Sequence, residues 1–66
     1  MISGGELIRQ CRRFKGYTQR HLAKIAGVSY ATISNVECGR HEPTYYTVMC
    51  CIEACGFTLK LAEKDY

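Results

Sequence analysis

No apolar run in this chain approaches the ~20 residues needed to cross a bilayer, which argues against a membrane-spanning helix. The opening Met-Ile-Ser-Gly-Gly-Glu has no basic start followed by an apolar stretch, so no secretory signal is expected and a cytoplasmic address is predicted. Gly-rich phosphate loops and His-Glu-x-x-His are missing, as are paired carboxylates in an apolar context, so the usual frameworks for phosphoryl, metal or acid–base chemistry are absent. A Cys38/His41 nucleophile can be drawn, but short helices in so small a domain offer little concave pocket for a substrate, and no enzyme activity is expected. Repeats, low-complexity tracts and internal linkers are lacking too. With 66 residues, the whole chain (1–66) reads as one domain. A domain of this length buries only about 60% of its unfolded surface, which makes a second copy an attractive source of stability.

Cysteine is plentiful but badly arranged for a framework. The five thiols (Cys11, Cys38, Cys50, Cys51, Cys55) are odd in number and contain no C-x-x-C pair. Without an export signal they do not read as disulfides. Cys51/Cys55 and Cys38/His41 have helical spacings on which a zinc site can be drawn. The favoured reading is cysteine standing in for small core aliphatics, with no metal and no cofactor.

Positive charge is present and unevenly placed. The formal net charge is +3, of which residues 1–43 hold +4 and residues 44–66 hold −1. The front of the chain is therefore the candidate anion-binding part.

Periodicity divides the chain into a helical core, 5–56, and a tail, 57–66. A first helix is predicted from about Gly5 to Lys15, with Leu7, Ile8, Cys11 and Phe14 on one apolar face and Gly16 ending it. Thr18 and Ser29 each open a short amphipathic run, and Gly27 separates the two. Leu22, Ala23 and Ala26 form the inward face of the first run, Ile33 and Val36 that of the second. Arg40-His41-Glu42-Pro43 reads as a loop, because Pro43 disfavours helix at Glu42. Thr44 caps a last helix to about Cys55, with Tyr45, Val48, Cys51, Ile52 and Cys55 inward and Tyr46, Cys50 and Glu53 outward. In Phe57-Thr58-Leu59-Lys60-Leu61 the period changes to strict alternation, a strand signature. A lone strand leaves its backbone unpaired, so pairing across a two-fold axis is favoured, with Phe57, Leu59 and Leu61 at the dimer contact. The alternative is a short fifth helix or a frayed tail.

Two short helices joined by a three-residue turn at Gly27 form a platform for placing the second helix in the major groove of double-stranded DNA. On that helix Ser29, Tyr30, Ala31, Ser34 and Asn35 point outward as base-reading candidates. Asn35 suits adenine, Ala31 a thymine methyl, and Tyr30 a methyl, sugar or phosphate. This face is short and nearly uncharged, so affinity must lean on phosphate contacts. Candidates for those are Lys15, Thr18, Gln19, Arg20, Arg40 and His41, with Gln19 adding the N–H groups of a helix start. Thr18 can equally serve as a plain cap, and Thr32 as a packed or helix-bonded hydroxyl. Arg12 and Glu37 are assigned to a structural ion pair linking the first and third helices.

The run Ile8-Arg9, Lys15-Gly16-Tyr17-Thr18-Gln19, Leu22-Ala23, Ala26-Gly27-Val28-Ser29, Thr32-Ile33-Ser34, Glu37, Gly39-Arg40 and Pro43-Thr44 resembles the phage repressor/Cro-like, XRE-type helix-turn-helix family. The resemblance covers roughly residues 5–57. It implies an all-α, lambda-repressor-like domain of four to five short helices and a homodimer on a near-palindromic operator. It further implies control of transcription by a bacterial or phage-encoded protein on the nucleoid. It also implies phosphate binding by Gln19, base reading by Tyr30, Ala31, Ser34 and Asn35, and pairing of Arg12 with Glu37. Ala31 and Cys38 depart from the family, standing where a long polar reader and an Asn or Arg are usual. The tail is similar to that of HipB-like antitoxin repressors, whose strand after the fourth helix forms an intersubunit ribbon. That adds a toxin protein to the expected partners, as the alternative to an ordinary repressor. No small-molecule effector is expected, and a cysteine-based metal or redox sensor is the remaining alternative.

Overall fold

The computed structural model describes residues 3–58, which form four helices: α1 (Gly4–Lys15), α2 (Gln19–Ala26), α3 (Tyr30–Glu37) and α4 (Tyr45–Ala54). Every helix begins the same way. The hydroxyls of Ser3, Thr18, Ser29 and Thr44 accept from the backbone N–H three residues on, satisfying one of the donors that a helix start leaves open. Gly27 ends α2 in the left-handed region (φ 75°), a conformation open to glycine at little cost. The N–H groups of Gly27 and Val28 then both return to the Ala23 carbonyl, at 3.0 and 3.1 Å, and turn the chain toward α3.

Between these helices lies one core: Ile8, Leu22, Ala23, Ile33, Val36, Val48, Cys51, Ile52 and Cys55. Packing joins α2 to α3 and α4, and α1 to α3 and α4. Burial of Cys51 and Cys55 agrees with cysteine as a core aliphatic, and half-buried Cys11 packs against the same cluster. The α1–α3 contact is unusually intimate. Gly5 is buried, and a Cβ added there would overlap the Val36 carbonyl oxygen, while one on Gly4 would crowd Pro43. Absence of side chains at Gly4 and Gly5 lets the start of α1 lie against α3 and the loop that follows it.

Four sequence expectations change. Phe14, assigned to the apolar stripe of α1, is 76% exposed, because the stripe runs past the elements that cover its earlier turns. Its ring instead meets Phe57 edge-on, with centroids 5.5 Å apart. Tyr45, assigned to the inward face of α4, is about half exposed in the first turn of that helix, ahead of the buried positions Val48, Cys51 and Ile52. Cys38 is exposed rather than core, since it caps the end of α3. The expected strand begins at Phe57, but Phe57 and Thr58 have no regular secondary structure. Its remaining residues, including Leu59 and Leu61, lie outside the described residues.

Candidate nucleic-acid interface

The two-sidedness of α3 organises the site. Ile33, Val36 and Glu37 turn inward, while Ser29, Tyr30 and Ala31 are exposed and Ser34 and Asn35 half-buried. At its start, the Ser29 hydroxyl accepts from the Thr32 N–H at 3.1 Å and shares a 2.8 Å hydrogen bond with the Thr32 hydroxyl. Both hydroxyls thus serve the cap, the helix-bonded role foreseen for Thr32. Asn35 is held from the following loop. Arg40 donates to its side-chain Oδ1 at 3.2 Å, and the Arg40 backbone N–H to its carbonyl at 2.9 Å. The Asn35 amide NH2 remains available as a donor.

Two depressions flank this face. One lies at the α2–α3 corner and is lined by Arg12, Thr18, Gln19, Arg20 and Tyr30. Here the Arg20 guanidinium lies over the Tyr30 ring, 4.3 Å from its centroid, tying the first turn of α2 to the first residue of α3. Thr18 caps α2, accepting from the His21 N–H at 3.0 Å, and leaves the first N–H groups of that helix to an outside acceptor. The second depression separates α3 from the start of α4 and includes Ala31, Asn35, His41, Thr44 and Thr47. Thr44 and Thr47 were not among the phosphate candidates. Their signal was the cap itself, because a helix start bordering the outward face of α3 brings N–H groups and hydroxyls together. Arg20, Arg40 and His41 are exposed, so the structure groups five of the six phosphate candidates along the borders of α3. Lys15 is set apart, with its ammonium 5.8 Å from the centroid of Phe57 at the far end of α1.

Beneath α3, the Glu37 carboxylate anchors three helices. The Arg12 guanidinium grips it with both arms, Nε to Oε2 and Nη2 to Oε1, each at 2.8 Å. Its third nitrogen, Nη1, donates to the Tyr17 carbonyl at 2.9 Å. Gln19 donates its Nε2 to Glu37 Oε1 at 3.2 Å, so the expected phosphate ligand also braces α2 against α3. Arg9 adds a charge 3.6 Å from Oε1 and donates to the Glu37 backbone carbonyl at 2.6 Å, closing the C-terminal end of α3. The parts played by Arg9 and Gln19 were missed, although Arg9 lies one turn before Arg12 on the same side of α1. Burial by itself pushes the Glu37 carboxyl up. Hydrogen bonds from Arg12 and Gln19, with the charges of Arg12 and Arg9, outweigh it and hold the group below the usual glutamate range. Among the described residues, no buried side-chain polar atom lacks a partner.

Within the described residues no helix is long and apolar enough to cross a membrane, and no group of three or more His, Cys, Asp or Glu side chains is placed to hold a metal ion. No curated protein matches the chain. A family model described as a helix-turn-helix domain matches residues 5–64, nearly the full length. With α2, the Gly27 turn and α3 arranged as above, the chain belongs to the helix-turn-helix domain family.

Proposed function

We propose that the chain is a sequence-specific DNA-binding regulator of transcription, acting as a dimeric repressor on a near-palindromic operator. The supporting observation is the outward face of α3, flanked by two depressions that carry hydroxyls, helix starts and the exposed Arg20 and His41. In this reading α3 enters the major groove, with Asn35, Ala31 and Ser34 against base edges. Phosphates on either side are met by Thr18, Gln19 and the start of α2, and by Arg40, His41, Thr44 and the start of α4.

One such face covers only a few base pairs, and a second copy doubles the site and its phosphate contacts. Half-sites are then expected about 34 Å apart, one helical turn of DNA. Phe57 and the residues after it supply the contact between copies. Its ring, already packed on Phe14 and 37% exposed, leaves an aromatic edge for a partner.

The test is selection of bound duplexes from a random pool, followed by fluorescence-anisotropy titration at several salt concentrations. A two-fold-related motif is expected. Asn35→Ala then relaxes preference at one position of each half-site. Arg40→Ala weakens all sequences and lowers the salt slope by about one, with a smaller loss at the Asn35 position, because Arg40 also holds the Asn35 amide. Recovery of no motif, or indifference of binding to both substitutions, overturns the proposal.

A further inference from the structure

We propose that Arg20 and Tyr30 form one reading unit, in which the tyrosine ring holds the guanidinium for a guanine in the major groove. This inference rests on the function proposed above and assigns a specificity role to a residue otherwise taken for a phosphate contact.

Position comes first. Tyr30 is the first residue of α3, the end of the reading helix that reaches base edges. Arg20 is the second residue of α2, yet its Cζ lies 4.3 Å from the Tyr30 ring centroid. The charged head is thus carried from α2 to the tip of α3. The residues beside it on the reading face, Ala31 and Ser34, are short, so no longer side chain competes for the same base edges.

Chemistry selects the base. A guanidinium offers two parallel N–H donors, and guanine presents O6 and N7 as two acceptors on its major-groove edge, the commonest specific pairing of all. Stacking on an aromatic face fixes the guanidinium plane but leaves its in-plane donors free. No hydrogen bond or ion pair to protein holds Arg20 among the described residues, whereas Arg9 and Arg12 are committed to Glu37 and Arg40 to Asn35. Arg20 is therefore an arginine on this face whose head is held over an aromatic ring and whose donors are free. Tyr30 then acts as a positioning residue through Arg20.

Selection from a random duplex pool with the wild type, Arg20→Lys, Tyr30→Leu and Tyr30→Phe separates the possibilities. Both side chains are exposed, and thermal melts establish that each variant is folded. The wild type and Tyr30→Phe are expected to retain one strongly preferred guanine per half-site. Arg20→Lys keeps the charge but loses the fork, and Tyr30→Leu loses the ring. Both should lower the preference for that guanine by roughly 5- to 150-fold while leaving other positions of the motif intact. An unchanged motif in Arg20→Lys identifies a simple phosphate contact and overturns the proposal while the regulator reading stands. Equal loss in Tyr30→Phe and Tyr30→Leu places the effect on the hydroxyl and also overturns it. Absence of any wild-type motif removes both this inference and the function beneath it.

Discussion

Arg12 and Glu37, distant in sequence, meet through two 2.8 Å hydrogen bonds beneath α3. The Glu37 side chain is 1% exposed and that of Arg12 14%, so the pair is shielded from water and salt. Its role is orientation: the carboxylate fixes α3, and with it the outward face, relative to α1 and α2.

Removing one partner should therefore cost far more than a surface ion pair. Arg12→Ala leaves a buried carboxylate with Gln19 and the longer Arg9 contact, at an expected loss of about 3–5 kcal/mol. For a domain of this size that approaches the whole stability. Arg12→Lys keeps the charge but cannot span both oxygens and the Tyr17 carbonyl, so a loss of at least about 1.5–3 kcal/mol is expected. Urea melts followed by far-ultraviolet circular dichroism measure both. Wild-type stability in Arg12→Ala would mean that the pair contributes nothing to the fold.

The same carboxylate makes stability depend on acid. Its folded value lies below the ordinary one, so the unfolded chain binds the proton more readily. The stabilisation is complete above the unfolded value of about 4.3 and is lost as pH falls through the lower folded value. Melts between neutral pH and pH 3 should show the wild type weakening on the acid side. Glu37→Gln, less stable at neutral pH, should show a shallower acid limb. Parallel limbs in the two proteins would assign the acid sensitivity to other carboxylates.

The α1–α3 contact supplies a second mechanical test. Gly5→Ala drives a methyl group into the Val36 carbonyl, which is backbone and cannot swing aside. An overpacking loss of about 1–3 kcal/mol is expected, with α1 pushed off α3. Gly27→Ala is the control, since it meets nothing within 4 Å and suffers only the left-handed backbone, about 1–2 kcal/mol. Amide exchange distinguishes them. Gly5→Ala should expose α1 amides selectively, whereas Gly27→Ala should loosen the α2–α3 turn.

Local rules made the helices and the outward face of α3 legible. Thr18, Ser29 and Thr44 announce helix starts because a hydroxyl at that position competes for a free N–H, and Gly16 and Gly27 announce stops. Ile33 and Val36 face inward by spacing alone, which leaves Tyr30, Ala31, Ser34 and Asn35 outside. Pairing of Arg12 with Glu37 was also readable, from opposite charges beside apolar stripes. What could not be read depends on how far a neighbour extends. Phe14 obeys the α1 period, yet among the described residues only the edge of Phe57 meets it, and its ring stays exposed. The reach of Arg9 and Gln19 to Glu37, and of Arg20 to Tyr30, is set by long side chains crossing between helices, which spacing along one helix does not report.

Thiol reactivity tests the packing of α4 directly. Cys38 is exposed after α3, whereas Cys51 and Cys55 are buried. Burial, aided by the electrostatic influence of Cys50, Cys55 and Glu37, pushes the Cys51 thiol up to about 11. Burial and Cys11 raise Cys55 against the opposing pull of Lys15 and Arg12. Thiolate is the reacting form, so the raised Cys51 thiol is poorly primed as well as sheltered. Iodoacetamide on the native protein, followed by peptide mass spectrometry, should modify Cys38 quickly and leave Cys51 and Cys55 until urea unfolds the chain. Labelling of Cys51 or Cys55 at the Cys38 rate would mean that α4 leaves the core readily, and with it the firm backing against which α2 and α3 are held.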